Sequence, residues 1–402
     1  MSNKKLIFIG CLLQEYRYDE IIKKKSAIDY ACFRCQSTLL EGLKDKYEQV
    51  VVISSPALTS YPKSDILFLN RSKEKMYENI DMIVTGYLNL PIIKLFSQCV
   101  RVFIELIRLP KAECDFIIYS PHSAFIVALW PFLRKRKSSS MIIPDLPEFM
   151  SGSTNKIYRA LKWVDYKIID FFSKRLNSFI LFSELMTERF NTRNKPTLVM
   201  EGVYKEDFSL LPLLPEDEEN IILYTGKADA RYNILNLLDA FNLISDDKYR
   251  LWIRGDGDTI PEVKRRAETD ERIKYIGKLN AKDLFELQQK ATVLINPVSP
   301  NEEFTKYFFP SKTLEYLASG TPTIMGRLKC MPEEYAPYIF YYDDDNPLSI
   351  KNKIVEVCEM SREERVKFGQ KARDFILKYK NKDYQASMIK NFIDSIEKRY
   401  LK

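Results

Sequence analysis

Histidine is almost missing from this chain: His122 is the single one among 402 residues. That scarcity argues against chemistry that needs several acid–base groups in one place. Cysteine is sparse as well, seven in all and an odd number. Cys32 and Cys35 form a CxxC, but no second pair stands at zinc-finger spacing, so both are expected on a helix as reduced, small apolar residues. Cysteine usage of this kind fits a cytoplasmic, reducing compartment. Long hydrophobic runs are lacking too. Residues 6–13 follow two lysines, yet the run is too short for a bilayer and has no small-residue cleavage site. It reads as a first buried strand, and no signal peptide is expected. The apolar stretch 88–106 is interrupted by Pro91, Lys94, Arg101 and Glu105, which suits a core or interfacial helix. The GxGxxG spacing is absent, and no run of arginines and aromatics resembles an RNA-binding motif, so nucleic acid is not an expected partner.

What is present points to two packed domains. Hydrophobic residues make up 46% of the chain, enough for a full core in each half. The net charge of +7 favours anionic partners such as nucleotide diphosphates, lipid pyrophosphates or an anionic membrane face. Apolar strand patterns at 6–9, 49–53, 116–119, 141–143 and 178–182 alternate with helical stretches. A second series follows at 220–224, 250–253, 273–276, 292–295 and 323–325. Such alternation predicts parallel sheets with helices on both faces. The fold class is therefore α/β, as two Rossmann-like, doubly wound parallel-sheet domains facing a central cleft. Residues 211–220 are rich in proline and then in acid, and read as a linker. The expected division is 1–205, 206–380 and a final helix over 381–402 that crosses back to the first domain.

The densest motif is Phe309-Pro310-Ser311-Lys312-Thr313-Leu314-Glu315-Tyr316-Leu317-Ala318-Ser319-Gly320-Thr321-Pro322. Pro310 suits a first helical turn, Gly320 a helix stop, and Pro322 prevents resumption. The amide-lined start of such a helix can hold an anion, typically a phosphate. Glu315, about one turn in, is placed to accept hydrogen bonds from sugar hydroxyls. A further loop, Tyr224-Thr225-Gly226-Lys227-Ala228-Asp229-Ala230-Arg231, joins a strand to a helix start through a glycine. Gly226 permits close backbone approach, and Lys227 and Arg231 bring two cations. Gly255, in Arg254-Gly255-Asp256-Gly257-Asp258, ends the next strand in the same way. Asp256 and Asp258 have DxD spacing, but no metal is assigned to them.

The segment 294–322 resembles the donor-binding motif of retaining glycosyltransferases of the GT-B fold, family 4. It is most similar to members that build bacterial capsule, exopolysaccharide or O-antigen. The resemblance implies a nucleotide-diphosphate sugar donor, UDP- or GDP-linked, with no further cofactor and no metal. It implies a donor pocket of Gly226, Gly255, Ile276, Gly277, Lys278, Thr305, Tyr307, Pro310, Ser311, Lys312 and Glu315, with Lys227 and Arg231 on the departing diphosphate. Many members carry a second glutamate eight positions before the one matching Glu315; here that position is Tyr307. Thr305, Lys306 and Tyr307 are expected to shape that part of the pocket instead.

On the acceptor side, His122 and Asp145 follow strands and are candidate catalytic groups, with Gly10 at the end of the first strand. Asp145, between Pro144 and Leu146-Pro147, reads equally as an acceptor contact or a helix cap. Trp130 and the run Arg134, Lys135, Arg136 and Lys137 suit an anionic membrane surface. A polyprenyl-diphosphate-linked glycan is the acceptor the resemblance implies, at the inner face of the plasma membrane. Two other readings stand beside this one: a nucleotide-sugar epimerase on a related fold, and a non-catalytic binding protein that kept the fold.

Overall fold

A computed structural model describes residues 4–109, 114–133, 138–145, 156–190, 194–211 and 219–400. The chain forms two compact units, Met1–Val203 with Lys382–Lys402, and Tyr204–Asn381. Most of the acidic linker, 212–218, lies outside the described residues.

The first unit contains β1 (Lys5–Gly10), β2 (Gln49–Ser54), β3 (Phe68–Leu69), β4 (Ser72–Tyr77), β5 (Ile80–Val84), β6 (Tyr87–Leu88), β7 (Cys114–Tyr119), β8 (Ser139–Ile143), β9 (Ser178–Leu181) and β10 (Thr197–Val199). Its main sheet runs β10-β9-β8-β7-β1-β2-β5-β4, and β3 pairs with β6 separately. All neighbours in the main sheet are parallel except β4 with β5. Leu6, Phe8, Ile9, Ile117 and Ile118 have no exposed surface. Strands covered on both faces lose the period of two, which explains their unbroken apolar runs. The antiparallel edge β4 reads Ser-Lys-Glu-Lys-Met-Tyr, and the sequence pattern does not announce it. Charged residues suit an edge strand, whose open backbone is protected against stray pairing.

The second unit contains β11 (Asn220–Lys227), β12 (Tyr249–Asp256), β13 (Ile273–Ile276), β14 (Val293–Asn296), β15 (Thr323–Gly326) and β16 (Phe340–Tyr342). The order β13-β12-β11-β14-β15-β16 is wholly parallel. This is the doubly wound arrangement, with its reversal between β11 and β14. On one face, the helix Ile234–Asn242 buries Ile234, Leu237, Leu238 and Phe241, spaced as one stripe, against Ile222, Leu251 and Ile253. On the other face, Tyr316 packs with Ile221, Leu223 and Leu294.

Tyr316 also closes a gap in the sheet. β11 meets β14 only at Ile222↔Val293 and Leu223↔Leu294. Further along, the Thr225 amide donates to the Tyr316 hydroxyl at 2.8 Å, and that hydroxyl donates to the Thr225 carbonyl at 3.0 Å. A side chain thus replaces a missing strand partner. Tyr316→Phe leaves both backbone groups buried and unsatisfied, and is expected to cost about 1–3 kcal/mol. Urea unfolding of the full chain checks this; a change below ~0.5 kcal/mol, the size of an ordinary surface substitution, would contradict it.

Candidate functional site

Ligands of open parallel sheets bind beyond the carboxyl ends of the strands, where the strand order reverses. In the second unit that crevice is bounded by Gly226 and Lys227 of β11 and by Asn296 of β14. The helix Lys312–Ser319 starts beside it. Pro310 is buried and Ser311 is exposed as N-cap, and no side chain caps the helix. The Thr313 amide donates to Pro310 and the Leu314 amide to Ser311, at 2.8 and 3.2 Å.

Lys312, at the first helical position, turns into the crevice. Its Nζ donates to the Tyr224 hydroxyl at 2.9 Å and lies 4.2 Å from the centroid of the Tyr224 ring. The Tyr224 hydroxyl in turn donates to the Lys227 carbonyl. Gly226 has φ 140, and a Cβ built there would stand 2.7 Å from the Lys312 ammonium. Glycine is therefore required for its backbone angle, and its lack of a side chain leaves room for the cation. Removal from water pushes Lys312 down to about 7, while the Glu315 carboxylate pulls the other way.

The loop after β11 is laced to the loop after β12. Ala228 donates to the Asp256 carbonyl at 2.9 Å, Ala230 to Asp258 Oδ1 at 2.8 Å, and Thr259 to the Ala228 carbonyl at 3.0 Å. Asp258 thus acts as a brace between loops. Asn233, at φ 65, ends the turn Ala230–Tyr232, and its amide donates to Pro297 at 3.0 Å and to Asp345 at 2.7 Å. Lys227 is exposed at the loop mouth. Arg231 lies over Tyr232 and Phe304, its guanidinium 5.1 and 5.4 Å from the ring centroids. Those rings meet edge-on at 6.2 Å, so Arg231 sits on an aromatic platform.

The other donor-side residues fall in the same unit. Gly255 pairs with Gly226 across the sheet, and its carbonyl accepts from the Tyr275 hydroxyl at 3.0 Å. Ile276 ends β13, with Gly277 and Lys278 exposed just after it. Thr305 and Tyr307 are buried, Thr305 donating to the Glu302 carbonyl at 2.6 Å. Glu315 is half-buried. Sequence reasoning overlooked Tyr224, Tyr232, Phe304 and Tyr316. An aromatic residue two positions before a strand-end glycine was the available signal for Tyr224. It also overlooked Asn296, fully buried with neither amide atom hydrogen-bonded, and Thr313, whose hydroxyl is buried and unbonded. Orphaned polar groups of this kind require a partner.

In the first unit, Gly10 ends β1 and His122 follows β7, on the two strands flanking that sheet's reversal. A Cβ at Gly10 would collide with the Gln36 side chain, whose Oε1 accepts from the Cys11 amide at 3.0 Å. His122 stacks on Phe125 at 4.3 Å, and its Nδ1 is buried without a hydrogen bond. Burial, with Lys94 and Lys162 nearby, pushes its pKa down to about 4. The ring is therefore neutral at physiological pH and suited to hydrogen bonding rather than to holding a proton. Asp145 is exposed at the end of β8, and Trp130 is half-buried. Arg134, Lys135, Arg136 and Lys137 lie outside the described residues. A cavity of about 540 Å³ borders Lys5, Gln49 and Cys114, at the amino ends of their strands. It is thus at the opposite end of that sheet from Gly10 and His122.

Residues 219–360 match the family of glycosyl transferases group 1. No curated protein matches the chain. Solved structures match over nearly the whole length. Sucrose-phosphate synthase from Thermosynechococcus elongatus is 14% identical at a TM-score of 0.68, covering 98% of this chain and 99% of that one. The Anabaena protein HepE in complex with UDP is 12% identical at 0.64, covering 97% and 100%. The E. coli trehalose-6-phosphate protein bound with UDP-2-fluoro glucose is 11% identical at 0.63, covering 97% and 99%. The chain has the GT-B fold, and the crevice of its second unit lies within the stretch that matches glycosyl transferases group 1.

Proposed function

We propose that this chain is a retaining glycosyltransferase that binds a nucleotide-diphosphate sugar in the crevice of its second unit. The observation that carries the reading is Lys312, an ammonium drawn out of water at the start of an uncapped helix and against a glycine. A cation so placed is costly until an anion joins it. A diphosphate supplies that anion, together with acceptors for the helix amides. The support for a UDP- or GDP-linked donor is the match to glycosyl transferases group 1 and the UDP and UDP-2-fluoro glucose bound by two structural neighbours.

In this reading Lys312 and the exposed Lys227 stabilise the charge that grows on the departing diphosphate. Arg231, on its platform of Tyr232 and Phe304, extends the positive rim. Glu315 accepts from hydroxyls of the donor. Glycosyl transfer proceeds through an oxocarbenium-like state with front-face attack, and the leaving diphosphate assists in deprotonating the acceptor. No metal is needed where two lysines and helix amides carry the charge. The acceptor is a hydroxyl of a glycan linked to a polyprenyl diphosphate, with neutral His122 and Asp145 as hydrogen-bonding groups on the acceptor side. The product belongs to cell-surface polysaccharide synthesis, of the capsule or exopolysaccharide type. The chain acts in the cytoplasm, held peripherally at the inner face of the plasma membrane.

Three measurements test this. Incubation with UDP- and GDP-sugars should release free nucleoside diphosphate only when lipid-linked acceptor is present. Sugar interconversion without release would indicate an epimerase, and binding without either a non-catalytic protein. Lys227→Ala should lower kcat by about 10²–10³-fold, as removal of a transition-state donor does. Glu315→Gln should weaken donor binding about 10–100-fold, the worth of a hydrogen bond to a charged group. Both variants should keep the wild-type circular dichroism spectrum, and wild-type kinetics in either would refute its assigned role. The third concerns pH. The Lys312 pKa is lowered to about 7 in the free protein, and a bound diphosphate raises it by favouring the charged form. Affinity for a nucleotide sugar should be level below about pH 7 and fall by up to about tenfold per pH unit above it. Calorimetry should show proton uptake on binding at pH 8, absent in Lys312→Met; equal uptake in both proteins would contradict the assignment.

A further inference from the structure

The helix Ile93–Arg108 is built inside out. Its inward residues include Gln98 and Glu105 beside Val102 and Leu106. Glu105 is held there by Arg71, with bonds of 2.8 and 2.9 Å. The outward side carries Ile93, Phe96, Val100 and Ile107, all exposed, with Phe103 half-buried in the same stripe. The steps of three and four residues form one continuous face. Phe96 is 72% exposed. Just before this helix, Ile92 is held at φ 67, a conformation β-branched residues rarely adopt, and it too projects into solvent.

A second helix repeats the arrangement. Of the eighteen residues in Lys156–Ser173, only Ile169 and Ser173 are buried. Leu161, Val164 and Phe171 are exposed along one face, with Ile168 half-buried between them, and Trp163 is 56% exposed beside them. The buried helix Ser123–Leu129 packs against both helices. The residues after it connect the two: Phe132 meets Phe103 at 5.7 Å, and Trp130 meets Phe172 at 5.3 Å. The apolar surface is therefore continuous across both helices.

Its charge has one dominant sign. Lys156, Arg159, Lys162 and Lys167 stand on the second helix against Asp165 and Asp170, of which Asp170 is paired with Lys174 at 3.1 Å. Arg101 is exposed on the first helix. Exposed apolar stripes with cations along their flanks are the signature of helices lying in a lipid interface, with apolar residues among the acyl chains and cations at anionic headgroups. A protein partner would favour charges of both signs at its rim. Among the described residues, no helix is long and apolar enough to cross a membrane, so the surface is suited to lying on the bilayer.

We infer that the outward faces of the helices Ile93–Arg108 and Lys156–Ser173 form one surface that docks onto an anionic lipid bilayer. This deepens the peripheral association proposed above by naming the docking surface. Its test needs neither donor nor acceptor, so it can fail while the donor-site reading stands. The full chain is mixed with vesicles of phosphatidylglycerol and phosphatidylethanolamine, or of phosphatidylcholine alone, and sedimented. Expected are strong binding to the first, weak binding to the second, and release by salt. Trp163 fluorescence should shift to the blue on binding, and Trp163→Phe should lose that shift. Phe96→Glu, Val164→Glu and the double variant carrying both should each lower partitioning about tenfold or more, with melting temperature and circular dichroism spectrum unchanged. Equal binding by wild type and the double variant would overturn the inference. So would a wild-type dimer in light scattering that the double variant abolishes, if vesicle binding were absent.

Discussion

The second unit is organised around one cost: a lysine ammonium held away from water. Lys312 reaches Tyr224, and the Tyr224 hydroxyl donates a hydrogen bond to the Lys227 carbonyl. The position of one cation therefore fixes the backbone from which the other projects. Gly226 is held at φ 140, which strains any larger residue, and the Lys312 ammonium lies in the space beside it. The helix that carries Lys312 cannot drift, because Tyr316 is bonded to the strand next to Gly226. Each of these contacts positions the others.

Both units solve the same geometrical problem with different residues. Each is a mainly parallel sheet whose order reverses once, and at each reversal a glycine lies in the last two residues of one flanking strand. In the second unit the glycine faces a cation; in the first, Gly10 faces the amide of Gln36. The surroundings of Gly226 are therefore charged, and those of Gly10 are neutral and hydrogen-bonded. The lowered pKa of His122 agrees, since burial keeps that imidazole uncharged.

Much of this was legible beforehand because buried parallel strands and glycine loops leave strong marks in a sequence. Every strand expected from an apolar run is present, most of them one to three residues longer or shifted by one. The strands that went unseen are edges or short ladders, except Ile80–Val84, which lies inside the sheet between β2 and β4 and whose apolar run is broken by Asp81. Ser72–Tyr77 is hydrophilic because an edge must be, and Phe340–Tyr342 is too short to show a period. Within the site, Gly226, Lys227, Lys312 and Glu315 stand out as residue types at telling positions. Tyr224 and Tyr316 do not, because a buried tyrosine looks like any core aromatic until its hydroxyl has a partner. Arg231 was legible as a charge but not as a cation resting on Tyr232 and Phe304, since Phe304 is far away in sequence. The outward apolar stripes were hidden for a related reason. Periodicity reports that a helix has two faces, but not which of them the fold turns inward.

The last helix has a consequence for how the molecule is made. Lys382–Tyr400 packs against the helix Tyr30–Leu43, where a side chain at Gly42 would strike the Lys382 carbonyl, and Lys4 pairs with Glu397. The first unit is thus assembled from segments on both sides of the second in sequence. During synthesis the middle of the chain can complete its core while the opening residues still wait for their final helix. The helix that completes the first unit is therefore made only after the whole of the second, and the first unit's fold waits on its neighbour's synthesis.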